Sequence, residues 1–172
     1  AGALGTTLAR ALVANGYAVE AVLSRTAASA EALADRVGAP VADTAYAALP
    51  KTVRWVFVCV PDDAIPGVAG ALAAVQHPWA DTTVAHTSGA VPAQALAPLD
   101  AQGAALLGFH PLQTFPEGAS PATLSDIVVG LDGDSAAVEA GAAVARRLGA
   151  RPVRLAAADK ARYHAAAALA SN

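Results

Sequence analysis

The chain has 172 residues, 55% of them hydrophobic and largely alanine, and a net charge of −3 with no long run of either sign. That length fits one α/β domain with the start of another, and the charge balance offers nothing for nucleic acid or an anionic membrane to recognise. No apolar run reaches the roughly 18 residues of a membrane helix, and a single cysteine, Cys59, excludes an internal disulfide or a cysteine-based metal cluster, so a cytoplasmic setting is expected.

Taken in order, the chain opens on AGALGTTLARAL, in which Gly2 and Gly5 are spaced as the second and third glycines of G-x-G-x-x-G. The first glycine, and the strand that feeds it, would precede Ala1. In the complete motif a strand enters a tight turn, and the turn opens a helix whose N-terminus holds a pyrophosphate. Leu4, Leu8 and Leu12 then fall on one helical face. Gly2, Ala3, Leu4 and Gly5 are therefore candidate cofactor-binding positions.

Short apolar runs alternate with alanine-rich helical stretches from there on, the pattern of a doubly wound, mostly parallel sheet. Strands are expected at 18–23, 39–42, 55–60, 82–86, 104–110, 126–131 and 151–155. Helices are expected at 27–37, ended by Gly38, at 44–49, from Asp62 or Asp63 to about Val75, and from Asp134 or Ser135 through Leu148. Asp62 or Asp63, and Asp134 or Ser135, read as helix caps. From about Ala157 the chain is strongly helical, so residues 1–155 read as a nucleotide-binding domain and 156–172 as the first helix of a second, all-helical one.

In an open parallel sheet ligands bind beyond the carboxyl ends of the strands. After the second strand of such a fold stands Ser24-Arg25-Thr26, about 20 residues beyond the glycine turn, where NAD-selective domains place an acid on the ribose. Glu20 comes too early to serve. Hydroxyls and a guanidinium suit a 2′-phosphate instead, which favours NADP over NAD. Val60-Pro61-Asp62, after the strongest strand, should run along the cofactor. The next two strands both end in histidine: His86 opens HTSG, and His110 opens HPLQTF. Ser88 and Gln113 add a hydroxyl and a neutral amide. The two histidines lack a third metal ligand at convincing spacing, and Ser88 lacks the G-x-S-x-G elbow of a hydrolase. On the last helix Lys160 and His164 share a face, with Asn172 roughly on the same side. From periodicity alone this stripe is either a solvated surface or the wall of a cleft.

The glycine turn, SRT, CVPDDAI, HTSGA, GFHPLQTF and KARYHAAAALASN together resemble Rossmann-like proteins with a C-terminal domain of the DUF2520 type. That family is similar to pyrroline-5-carboxylate reductases, prephenate dehydrogenases, 6-phosphogluconate and β-hydroxyacid dehydrogenases, and F420-dependent NADP reductases. The resemblance implies a nucleotide-binding domain followed by a helical domain through which the protein forms a homodimer. It makes His110 a candidate for contacting a substrate hydroxyl. Lys160 and Asn172 are similar to the lysine and asparagine of β-hydroxyacid dehydrogenases, although here they stand twelve apart and His164 holds the four-apart position.

The reading that follows is an NADP-dependent oxidoreductase acting on a small carbonyl, imine or hydroxy compound, with F420 open as a hydride partner. Lys160 is the first choice as proton donor, with His110 or His164 as alternatives. Ser88, Gln113, Asn172 and His86 would position the substrate. The alternatives are a dinucleotide sensor without turnover and an interaction scaffold with an empty fold.

Overall fold

The computed structural model describes residues 2–160, 162, 163 and 165. Helix α1 spans Ala3–Ala14, followed by β1 (Ala21–Leu23), α2 (Ala27–Val37), β2 (Val41–Asp43) and β3 (Trp55–Val58). Then come α3 (Ile65–Ala73), β4 (Thr83–His86), α4 (Ala97–Asp100), β5 (Ala105–Pro111), β6 (Val128–Gly133), α5 (Ser135–Arg147) and β7 (Arg151–Arg154). Strands β3 to β7 form a five-stranded sheet in that order, parallel except for the antiparallel β5–β6 pair, while β1 and β2 pair in parallel with each other. This is the doubly wound, mostly parallel α/β architecture expected of the sequence.

The two faces of the five-stranded sheet carry different cores, as alternation along each strand requires. Ala85, Leu107, Phe109, Val129 and Leu131 pack with Leu8 and Ala11 of α1 and with the buried face of α5. Val58, Val84 and Leu106 turn to the other side, onto Ile65, Ala69 and Leu72 of α3 and onto Leu96 and Leu99. Glycine at position 141 on α5 lets the helix seat on the sheet, because a Cβ there would lie 2.7 Å from a methyl of Leu107 and force that side chain to shift.

Several elements are shorter than the hydropathy suggests. The first strand holds only Ala21–Leu23, and Glu20, just before it, accepts a hydrogen bond from the Thr52 hydroxyl at 2.5 Å. The helix expected over 44–49 is a single 3₁₀ turn, Tyr46–Ala48, which the Asp43 carboxylate precedes by accepting from the backbone N–H of Thr44 and Ala45. Asp62 and Asp63 are not side-chain caps; they lie within a 3₁₀ turn that runs into α3. Asp134 does sit at the N-cap of α5, yet its carboxylate accepts from the Leu106 N–H at 2.7 Å and so ties the helix start to β5. Prolines 92 and 98 begin a 3₁₀ turn and the short α4, which apolar periodicity did not reveal. Gly38 ends α2 in the left-handed conformation at φ 68°, as expected.

Candidate functional site

Helix α1 begins at Gly2, its N-cap, with extended backbone and no acidic residue in the first turn. Gly2 is exposed, and a Cβ placed there would meet nothing within 4 Å. The leading N–H groups of a helix have no intrahelical partners and carry the positive end of its dipole, so this terminus favours an anion. Ala3, Leu4 and Gly5 form its first turn. Ser24, Arg25 and Thr26 follow β1 directly, with Arg25 exposed. The Thr26 hydroxyl caps α2 by accepting from the Ser29 N–H at 3.3 Å, which leaves its own proton to donate. Val60, Pro61 and Asp62 follow β3, with Pro61 and Asp62 exposed.

The ends of β4, β5 and β6 build something the sequence did not announce. Register places His86 opposite Gly108, and Gly108 opposite Asp132, in one row across three strands. Two residues further along β5, His110 stands opposite Gly130. Because directly paired residues and alternate positions share a face, all five lie on the α3 and α4 side of the sheet. The missing side chain at Gly108 leaves a pit, and the Lys160 ammonium fills it. A Cβ on Gly108 would overlap both the Lys160 Nζ and the Asp132 Oδ1.

Lys160 donates to Asp132 Oδ1 at 2.5 Å, and each side chain is only 1% exposed. Asp132 Oδ2 accepts from the Ala93 N–H at 2.8 Å. One carboxylate therefore joins β6, the turn after the HTSG loop and the start of the last helix. Burial pulls the Lys160 pKa below its ordinary value, against the hydrogen bond and charge of Asp132 and the charge of Asp62. Burial likewise brings His86 down to about 4, reinforced by the Lys160 charge and opposed by the Pro92 carbonyl, Asp132 and Asp62. His86 is thus neutral at physiological pH. Its Nδ1 accepts from the Ser88 N–H at 3.2 Å, so its proton is on Nε2.

The Ser88 hydroxyl accepts from the N–H groups of Ala90 and Val91 at 3.2 and 3.0 Å and shapes the loop from within. His110 lies near the end of β5, half-buried, with Nδ1 3.3 Å from the Thr87 carbonyl and Nε2 enclosed. Gln113 is exposed and folds back to accept from the Thr114 N–H at 2.9 Å. His164 and Asn172 lie outside the described residues. Cys59 has its pKa raised to about 11 by burial, opposed by a hydrogen bond with Thr87, so it is an inert thiol.

The structure brings Lys160, His86 and Asp62 within electrostatic reach of one another and sets His110 one row away; it sets Gln113 apart. Sequence reasoning missed Gly108, Asp132, Gly130 and Tyr163. A signal was present: Gly108-Phe-His110 and Gly130-Leu-Asp132 each put a glycine two places from a polar residue inside an apolar strand. A glycine there marks the close approach of another group.

Two family descriptions match the chain: "Rossmann-like domain" over residues 1–111, and "Domain of unknown function (DUF2520)" over residues 127–172. No curated protein matches. Among solved structures, a Bacteroides fragilis protein assigned as an NADP oxidoreductase superposes with a TM-score of 0.82 at 23% identity, over 97% of this chain and 62% of its own. A Thermotoga maritima protein gives 0.76 at 27% identity, over 99% and 61%. An imine reductase from Myxococcus stipitatus, in complex with NADP+, gives 0.75 at 19% identity, over 99% and 58%. The chain therefore spans less than two thirds of the length of these proteins.

Proposed function

The chain belongs to the Rossmann-like domain family, and on that premise we propose that it is an oxidoreductase using NADP, with a small carbonyl, imine or hydroxy compound as substrate. The observation that carries the reading is the pairing of an open, glycine-started helix N-terminus with Ser24-Arg25-Thr26 at the end of β1. The first offers backbone N–H groups to a pyrophosphate. The second offers a guanidinium and hydroxyl groups to a 2′-phosphate, and places no carboxylate there to bind a bare ribose. When bound, the nicotinamide would supply the hydride chemistry, and the protein would supply orientation and a proton.

Within this reading His110 is the group that exchanges the proton. It stands at the end of β5, its orientation is held through the Thr87 carbonyl, and imidazole is the side chain suited to give and take protons near neutral pH. Lys160, the first choice from the sequence, becomes a fixed countercharge, because its ammonium is enclosed and paired with Asp132. Ser88 serves by holding the loop between the two histidines. The same enclosure of Lys160 favours one second reading, a dinucleotide sensor without turnover.

Following NADPH absorbance over a panel of ketones, cyclic imines and hydroxy acids separates the two. The oxidoreductase reading expects turnover, and in His110→Ala a fall in kcat of roughly 10²-fold or more, the usual contribution of a positioned acid or base, with NADPH affinity unchanged. NADPH binding without turnover of any compound would instead establish the sensor.

A further inference from the structure

Three residues beyond Lys160, and so on the same side of the last helix, stands Tyr163. Its ring shares the second glycine hole of the sheet with Leu155: a Cβ on Gly130 would lie 2.8 Å from Leu155 Cδ1, and 3.2 Å and 3.6 Å from Cε1 and Cζ of Tyr163. The ring stands edge-on to that of His110, with centroids 6.5 Å apart and planes at 87°. Gly130 and His110 are register partners, so the sheet itself places the phenol beside the imidazole. The phenolic oxygen is buried and has no hydrogen-bond partner among the described residues. A buried hydroxyl without a partner costs stability that phenylalanine of the same shape would keep. Among the described residues, packing alone gives tyrosine no advantage over phenylalanine there.

We propose that Tyr163 is a substrate-contact residue whose hydroxyl donates a hydrogen bond to an uncharged oxygen or nitrogen of the substrate. This rests on the oxidoreductase reading and narrows it. The partner is uncharged because the ammonium on the same helix face, that of Lys160, is already neutralised by Asp132, and because the Tyr163 hydroxyl is a neutral donor, burial having raised its pKa. The fit is to a ketone, imine or alcohol, and a carboxylate at this point would find no free countercharge in the Lys160–Asp132 pair. Tyr163 binds and orients in this account, and His110 exchanges the proton.

The test compares the protein with Tyr163→Phe, using cyclohexanone and acetophenone as uncharged probes and pyruvate as the carboxylate control. The expected result has three parts. The unfolding midpoint of the variant is equal or higher, its NADPH affinity is unchanged, and its kcat/KM on the uncharged ketones falls about tenfold, the worth of one neutral hydrogen bond. With ¹³C placed at the tyrosine Cζ, the chain gives signals from three tyrosines, and the one lost in the variant should shift when cyclohexanone is added to the NADP+ complex. A midpoint lowered by several degrees, showing that the hydroxyl has a structural partner, overturns the proposal. So does an unchanged kcat/KM in the variant, and in that case the oxidoreductase reading stands. A protein that turns over none of the ketones, cyclic imines or hydroxy acids of the panel and shows no shift overturns both.

Discussion

At the scale of single residues, the site is governed by what burial does to charge. His86 is fully buried, and its environment sets it against a proton until the pH nears 4. The unfolded chain takes up that proton at the ordinary imidazole value of 6.5. Between the two values the unfolded state binds more protons than the folded one, so stability falls as the pH falls. The contribution is fully present above pH 6.5, is lost progressively toward pH 4, and amounts to about 3 kcal/mol at most. Urea unfolding from pH 7 to pH 4 should show that loss, and His86→Asn, which keeps an acceptor for the Ser88 N–H, should show a flatter curve. An equally steep curve in the variant would move the effect to the carboxylates. The two histidines were legible in the sequence from their place at strand ends. The direction of the His86 pKa was not, because it depends first on how completely the fold buries the ring and then on Lys160, which is remote along the chain and reaches the pit only through the fold.

At the scale of elements, the Asp132–Lys160 pair ties the start of the last helix to the sheet. Asp132 also fixes the Ala93 N–H, so β6, the start of the turn at Ala93–Leu96 and the helix at Lys160 share one carboxylate. Removing one partner strands a buried charge. Asp132→Asn should cost roughly 3–5 kcal/mol in urea unfolding, while a paired Asp132→Leu, Lys160→Met change should cost far less than the sum of its singles. Additive losses would show that the two charges do not depend on each other. The elements themselves were readable where a single physical signal dominates. The β3 run is apolar throughout, and α2 has Thr26 at one end and Gly38 at the other. What was not readable was pairing across strands. Asp134 sits at the expected N-cap, yet its carboxylate holds Leu106, and Gly108 and Gly130 read only as parts of apolar strands and instead admit Lys160 and, beside Leu155, Tyr163. Those partners are brought together by register, and register leaves no trace in local periodicity.

At the scale of the whole molecule, the doubly wound arrangement sets His86 and His110 at the carboxyl ends of the neighbouring strands β4 and β5, and the antiparallel β6 delivers Asp132 and Gly130 to the same edge, while Gln113 stands apart. Alternation and glycine spacing made that edge predictable, and the resemblance sharpened it. The chemistry done there depends first on whether the edge holds a dinucleotide, and on which one. Calorimetric titration of NADPH and NADH against the protein and against Arg25→Ala is the most direct test. The account predicts tighter binding of NADPH than of NADH. It further predicts that Arg25→Ala weakens NADPH by roughly 10- to 100-fold, the worth of a hydrogen-bonded charge, and leaves NADH nearly unchanged. Failure of both nucleotides to bind, or an Arg25→Ala variant that keeps the full preference for NADPH, would contradict it.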